Sequence, residues 1–406
     1  MVYLSGKILP AFLGMAATII IIKQLPPSEY GYYTVYLATG SFLASVGFAW
    51  IRMTITRKYE LFKHYFSRND LLSVARYPLG IIGGCVILLG ILIPLTNVGG
   101  IFLWMALLSV LYGGAQGCFD LLNEFNRVSF RPLSYNFALL LKAVLFLAAV
   151  ACLFCLGYQQ WKAYGVALIV ALLVSLVVLV LQQRKERHIQ SGGISKKIRN
   201  TRIFLGYGVP FSLSLTISFF IFNSDKYIIS FFLGSAALGE YSAVASLILI
   251  AVNMALSTFA LVWNPTLFRI RKQHGLEFAL KKHKEKLVFF ILMSVFLVAA
   301  GVVIGEKFFE LFEINNKYSD YWSIAFIATG YAAIYLKVYY YDTYLQLIND
   351  SRGVVLNACV LAAASIVLNL LFIGFFGPLG SVASYVLAAI IGALLVRARV
   401  RKCQKK

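Results

Sequence analysis

The sequence predicts an all-α polytopic membrane protein, and three observations carry that expectation. Sixty per cent of the 406 residues are hydrophobic against 13% charged. The mean hydropathy is +0.81. The apolar residues also gather into runs long enough to cross a bilayer. A water-facing shell has to be polar, and a soluble chain of this size could not build one from this composition. The net charge of +21 would suit a nucleic-acid binder. However, the basic residues sit in short loops between apolar runs, where they set orientation in a membrane.

A hydrocarbon core of about 30 Å takes about 20 apolar residues per helix. On that ruler there are about twelve spans, at roughly 6–24, 31–51, 77–95, 100–121, 134–157, 163–182, 205–233, 239–263, 287–304, 320–341, 353–373 and 378–396. The first lacks a small-residue cleavage site and is read as a retained span. The seventh is long enough to tilt or to leave the membrane at one end. Pro210 near its start is a place for a bend.

The loops alternate in charge. Arg57, Lys58, Lys63 and Arg68 follow the second span, and Arg184, Lys185, Arg187, Lys196, Lys197, Arg199 and Arg202 follow the sixth. Arg269, Arg271, Lys272, Lys281, Lys282, Lys284 and Lys286 follow the eighth, and the tail from Arg397 to Lys406 is basic. Loops 96–99 and 374–377 are uncharged, and the loop after the ninth span carries Glu306, Glu310, Glu313 and Asp320. By the positive-inside rule both termini are cytoplasmic. The expected location is the cytoplasmic membrane of a bacterium or archaeon.

A repeat organises the chain. Leu25, Gly31 and Tyr33 recur as Leu233, Gly239 and Tyr241 at an offset of 208 residues. The basic loop 52–76 maps onto the second basic loop at the same offset. This divides the chain into an N-terminal six-helix lobe (1–183), a basic linker (184–204), a C-terminal six-helix lobe (205–396) and a basic tail (397–406). With an even number of spans in each half, the repeat is parallel.

The motifs resemble one family. Leu25-Pro-Pro-Ser-Glu-Tyr-Gly-Tyr-Tyr33 is similar to the "L-x-P-x-E-Y-G-x-Y" signature of Wzx-type polysaccharide and O-antigen export flippases. These belong to the multidrug/oligosaccharidyl-lipid/polysaccharide (MOP) superfamily. Gly206-Tyr-Gly-Val-Pro210 followed by Asp225-Lys226 resembles the family's "G-x-P … D-R", with Lys in place of Arg. Gly377-Pro-Leu-Gly380 with Ala383 is similar to its terminal "G-x-x-G-A-A". The resemblance implies two six-helix lobes around a central cavity, as in MATE and MurJ transporters. It also implies a polyprenyl-diphosphate-linked oligosaccharide as cargo, with polymerase and chain-length proteins of the same pathway as partners.

Charges inside spans cost about 2.5–3.5 kcal/mol at a helix centre, so each asks for a reason. Asp225 and Lys226 read as an acid–base pair, with Ser214, Ser218 and Asp225 on one helical face. Either they line a cavity, with Lys226 offered to an anionic headgroup, or they sit near the outer end of a tilted helix. The cavity reading is preferred, because intramembrane ionisable groups usually line a pathway. Lys142 either neutralises a diphosphate or snorkels to the interface. Lys337, among Tyr335, Tyr339, Tyr340, Tyr341 and Tyr344, suits an oligosaccharide path or an interfacial aromatic belt, and the belt is preferred. Arg52 and Arg76 either capture a diphosphate or only set topology, and topology is preferred. Asp120 and Glu124 either carry a coupling proton or pair with Arg127, and pairing is preferred. Tyr30, Tyr32 and Tyr33 are expected at headgroup level, and Asn253, Asn264, Asn357 and Asn369 to bond between helices.

The four histidines fall in basic stretches without ligand partners, and the Cys152–Cys155 spacing sits in an apolar run that suits packing. No metal or cofactor is expected, and the sequence has no phosphate-binding G-x-x-x-x-G-K-[ST] loop. Coupling to H+ or Na+ stays open. The leading reading is therefore a lipid-linked oligosaccharide flippase working by alternating access. The alternative is cation-coupled multidrug or small-molecule efflux, which would want acidic residues deep in the N-terminal half. Spans one, two, three, five and six contain none. A membrane enzyme would want a sizeable outer loop or a paired-carboxylate site, and neither is present.

Overall fold

The computed structural model describes the backbone of residues 2–62, 68–95, 100–184, 194–314, 317–348 and 350–404. The described residues are helical throughout their ordered elements, with no strand among them. In order they form α1 (Val2–Gln24), α2 (Pro27–Phe62), α3 (Arg68–Leu95), α4 (Gly100–Val128), α5 (Pro132–Cys155) and α6 (Trp161–Arg184). Then follow α7 (Ile194–His274), α8 (Leu276–Glu285), α9 (Leu287–Leu311), α10 (Tyr321–Leu336), α11 (Asp342–Leu347), α12 (Ser351–Phe376) and α13 (Gly380–Gln404). A π-turn, Lys337–Tyr341, joins α10 to α11, and a 3-10 turn, Gly377–Leu379, joins α12 to α13.

Every expected span lies on a helix. The seventh and eighth are the two arms of α7, which breaks only at Gly234. With φ 85 and ψ 169, Gly234 occupies a backbone region that essentially only glycine enters. The break falls there and not at Pro210, through which the backbone stays helical. The helix restarts at residue 235, which is 208 residues after Pro27, where α2 begins.

Helix α6 shows how a fully apolar segment sorts its faces. Val166, Val170, Leu173, Val174, Val177 and Leu181 form an exposed stripe, while Trp161, Tyr164, Leu168, Leu172, Ser175 and Leu179 are buried. In a membrane the exposed stripe meets lipid, so both faces are apolar and the buried one carries the ring and hydroxyl groups that find partners. Tyr164 donates to the Tyr158 carbonyl at 3.0 Å, and Ser175 to the Ala171 carbonyl at 2.7 Å.

The chain divides into two compact units. The first comprises Met1–Leu25 and Tyr32–Thr216, the second Pro26–Gly31 and Ile217–Lys406. Within the first, Tyr36 is fully buried. It donates to the Gly165 carbonyl at 3.1 Å and lies 5.4 Å from the Tyr112 ring and 5.7 Å from Trp161.

Within the second unit the two copies of the repeated motif meet. A Cβ on Gly31 would fall 1.9 Å from the Ser235 carbonyl oxygen, and one on Gly239 would fall 1.7 Å from the Pro27 carbonyl oxygen. The contact is reciprocal, since 27 and 235, like 31 and 239, are 208 residues apart. Tyr30 and Tyr33 are 5% exposed, and the Tyr30 and Ser246 hydroxyls are 3.2 Å apart. These rings are packed inside protein and do not form the headgroup-level anchor expected for them.

Other expectations change in detail. The stretch after the eighth span is not a loop, because α7 runs to His274 and α8 follows. Gly275, at φ 85, makes the turn between them. Cys152 and Cys155 are free and exposed on the apolar helix α5. Loop 96–99, part of the linker (185–193) and the basic residue Lys63 lie outside the described residues. The side chains of Arg57, Lys58, Arg68 and Ser214 do as well.

Candidate functional site

In the first unit a chain of polar side chains joins α2, α4 and α5. Arg52 Nη1 lies 3.3 Å from Asp120 Oδ2. Gln116 Nε2 donates to Asp120 Oδ1 at 2.7 Å, and Lys142 Nζ donates to Gln116 Oε1 at 3.0 Å. The spacing of Gln116 and Asp120 on α4 places both on one helical face. The result is two cations held around one carboxylate through an amide, with Lys142 also 5.3 Å from the centroid of Phe119.

A cavity of about 160 Å3 opens along this network, lined by Ser41, Ser45, Arg52, Tyr112, Gln116 and Asp120 among others. It has room for on the order of ten water molecules. Lys142 is therefore tied into protein and does not snorkel away. Arg52 lines the cavity. Asp120 pairs with Arg52, where Arg127 was expected. Arg127 instead holds Glu124, with Nε 2.9 Å from Oε2. Arg76 is exposed.

In the second unit the expected Asp225–Lys226 pair does not form. Lys226 Nζ donates to Asn223 Oδ1 at 2.8 Å. Asp225 is fully buried; no bond to its oxygens meets full hydrogen-bond geometry among the described residues, and the Tyr385 hydroxyl and Lys226 are its polar and charged neighbours. Adjacent helical residues point about 100° apart, which separates the two charges. The Tyr385 hydroxyl and Asn369 Oδ1 are likewise unsatisfied. Asn369 Nδ2 donates to Ser224 Oγ at 3.0 Å, so α7 and α12 are joined beside Asp225. Ser218 is half-buried.

Lys337 is 2% exposed and lies 3.0 Å from the Asp342 carboxylate. Asn357 Nδ2 donates to the other side of that carboxylate at 2.9 Å. Residues five apart on an α-helix diverge by about 140°. Here the π-turn brings them together, with the Asp342 N–H bonded to the Lys337 carbonyl. Tyr335 is buried and stacks on Phe222 at 5.1 Å and on Tyr339 at 5.8 Å. Tyr339 donates to Asn253 Oδ1 at 2.8 Å. Lys337, Tyr335 and Tyr339 thus form an internal polar seam.

His283 was read as a loop residue and is buried in α8. Its Nδ1 accepts from Trp263 Nε1 at 3.1 Å, and its Nε2 lies 3.0 Å from the Tyr340 carbonyl. Indole only donates and a carbonyl only accepts, so both contacts are satisfied by the neutral imidazole protonated at Nε2. Gln116, Asp342 and His283 are functional or structural partners that the sequence reading missed. Position 116 carried a signal, since it lies four residues before Asp120. The Lys337–Asp342 spacing carried none, because it pairs only across a π-turn.

With this geometry in place, comparison with known proteins gives the family. The family described as polysaccharide biosynthesis protein matches residues 1–271, and the chain belongs to it. A search of the curated proteins returned no match. Among solved structures, the chain is similar to an inward-facing multidrug resistance MATE-family transporter of the MOP superfamily. The identity is 14% and the TM-score 0.70, over 100% of this chain and 99% of that one. It is also similar to the lipid II flippase MurJ in an inward closed conformation, at 13% identity and TM-score 0.71, over 98% and 87% of the two chains. A third is a MOP-superfamily transporter from Pyrococcus furiosus, at 14% identity and TM-score 0.59, over 100% and 95%. The chain is thus a multi-pass membrane protein of the MOP-superfamily transporter fold.

Proposed function

We propose that this protein carries a polyprenyl-diphosphate-linked oligosaccharide from the cytoplasmic to the outer leaflet by alternating access. The observation that supports this reading best is the network in the first unit. Arg52 and Asp120 line a polar cavity, and Lys142 is tied to the same network through Gln116. A diphosphate cannot enter hydrocarbon with its charge unmatched. Arg52 offers it paired N–H donors, and it can exchange Asp120 for a phosphate oxygen. Membership of the polysaccharide biosynthesis family points to the same class of cargo. In this reading the membrane is the bacterial or archaeal cytoplasmic membrane, with both termini cytoplasmic.

Asp225 is the group suited to a coupling cation. A fully buried carboxylate with no well-formed hydrogen bond is costly, and H+ or Na+ would relieve it. This feature also fits the second reading, a cation-coupled efflux transporter on the same fold.

The test uses a host lacking this gene, with polyprenyl-diphosphate species weighed by mass spectrometry. A complete lipid-linked unit is expected to accumulate and to clear on return of the wild type. Arg52→Gln or Lys142→Gln should slow clearance about tenfold to a hundredfold, the effect of one hydrogen bond to a charged group. Asp225→Asn should clear the lipid at a rate that no longer responds to collapse of the ion gradient. Full clearance by both cation variants would sink the assignment of the site. Absence of any accumulating lipid would move the efflux reading ahead.

A further inference from the structure

A second basic recess lies in the second unit and shares no residue with the Arg52–Asp120–Gln116–Lys142 network or with the surroundings of Asp225. It measures about 690 Å3 and lies between α8, the π-turn with α11, and the end of α13. Lys281, Lys284, Arg397 and Arg401 line it, with Glu277 as its one carboxylate. The helix's other carboxylate, Glu285, is taken by Lys282 at 2.8 Å. Lys281, Lys284 and Arg401 make no ion pair among the described residues, and all four cations are exposed.

The floor and walls are of a different character. Tyr340, Tyr341 and Tyr344 form the floor, and Leu280, Leu287, Val396 and Val400 form apolar walls. Arg397 donates to the Tyr341 hydroxyl at 3.0 Å, with its guanidinium 5.4 Å from that ring's centroid. The Tyr340 and Tyr344 hydroxyls are 2.8 Å apart. His283, buried beneath α8 and bonded to the Tyr340 carbonyl, fixes α8 against this floor. Residues 277, 280, 281, 284 and 287 then share one face of the helical path, turned to the recess.

Helix α8 is short and amphipathic, with Ala279, Leu280 and His283 buried and the large apolar side chains of Leu276 and Phe278 exposed. It lies on the basic side of the chain, where helices of this type rest in the headgroup layer. A soluble anion would use the cations and leave the apolar walls idle. A lipid would use both.

We propose that this recess holds the phosphate headgroup of an anionic phospholipid from the leaflet on the chain's basic side, with its acyl chains along the partly exposed Leu287 and Val400. Basic recesses between helices on that side are suited to such headgroups, and each Lys or Arg near the surface adds to the attraction. The site serves bulk membrane lipid and is independent of the cargo path proposed above.

The test is made on the full-length protein in neutral detergent, with phosphatidylglycerol, phosphatidylcholine and inorganic diphosphate titrated separately. Native mass spectrometry and thermal unfolding are the readouts. Phosphatidylglycerol is expected to bind and raise Tm, and phosphatidylcholine to do neither. Lys281→Gln with Arg401→Gln should weaken phosphatidylglycerol about thirtyfold, and Lys284→Gln alone by less. Arg269→Gln with Lys272→Gln, exposed cations outside the recess, should leave binding unchanged. Equal binding of the two lipids, or undiminished binding by the double variant in the recess, would overturn the site. A Tm rise from inorganic diphosphate equal to that from phosphatidylglycerol would overturn the lipid in favour of a soluble anion.

Discussion

Single side chains in this protein are set by what they can donate or accept once water is gone. His283 stays neutral because an indole N–H and a carbonyl hold its two nitrogens in fixed roles. Replacing it by Leu leaves the Trp263 N–H without an acceptor. That variant is expected to lose about 1–3 kcal/mol of stability, read as a lowered Tm in detergent. Asp350 is a second case, at the start of α12 and outside the spans. Partial burial by itself would raise its carboxyl. The Gly353 N–H at 2.7 Å and Arg399 at 2.8 Å outweigh this and hold it below the usual carboxylate range. A depressed folded pKa means that the contribution is complete above the unfolded value, near pH 4. It is lost as pH falls through the folded value. Asp350→Ala should therefore cost about 1 kcal/mol at neutral pH, as a lost helix cap does. The difference between variant and wild type should vanish in strong acid. A gap in Tm independent of pH would contradict this account.

At the scale of elements, helix breaks matter more than helix bodies. Helix α2 restarts at Pro27 and α7 at residue 235, and a carbonyl from each restart sits over the glycine of the other motif. The backbone carbonyls there cannot move aside as a side-chain end could. Gly239→Ala is expected to destabilise by about 1–3 kcal/mol, the usual cost of overpacking, and Gly31→Ala to behave alike. Thermal unfolding of purified protein measures both, and a neutral Gly239→Ala would show that the segments are not held this closely. The π-turn at Lys337–Tyr341 is the other decisive break. It places Lys337 and Asp342 side by side inside the second unit, and π-bulges of this kind recur at functional positions.

For the whole molecule, the charge alternation makes a topological prediction. The stretches rich in Lys and Arg belong on one side and the acidic 306–320 stretch on the other. A periplasmic phosphatase fused after Lys406 is expected to be inactive, and the same enzyme inserted at 96–99 to be active. The reverse pattern would invert the direction of the proposed transport and move the lipid recess to the outer leaflet. The same asymmetry gives the two basic sites different surroundings. Arg52 and Lys142 lie among span residues with an acidic partner, whereas Lys281, Lys284 and Arg401 lie beyond the spans without one.

Much of this was legible in the residues themselves. Apolar runs, loop charge and the 208-residue repeat determined the class, the helical spans and the motif pairs. These follow from local composition and from the length a bilayer demands, neither of which depends on which helix meets which. Arg52, Lys142 and Lys337 could be singled out because charge inside a span is rare for a physical reason. Their partners could not be chosen, since Asp120, Gln116 and Asp342 compete with other polar residues until the helices are packed. Asp225 and Lys226 show the limit most plainly. They are neighbours in sequence, yet rotation about the helix axis gives each a different environment, and only the tertiary structure decides that Asp225 is fully buried while Lys226 reaches Asn223.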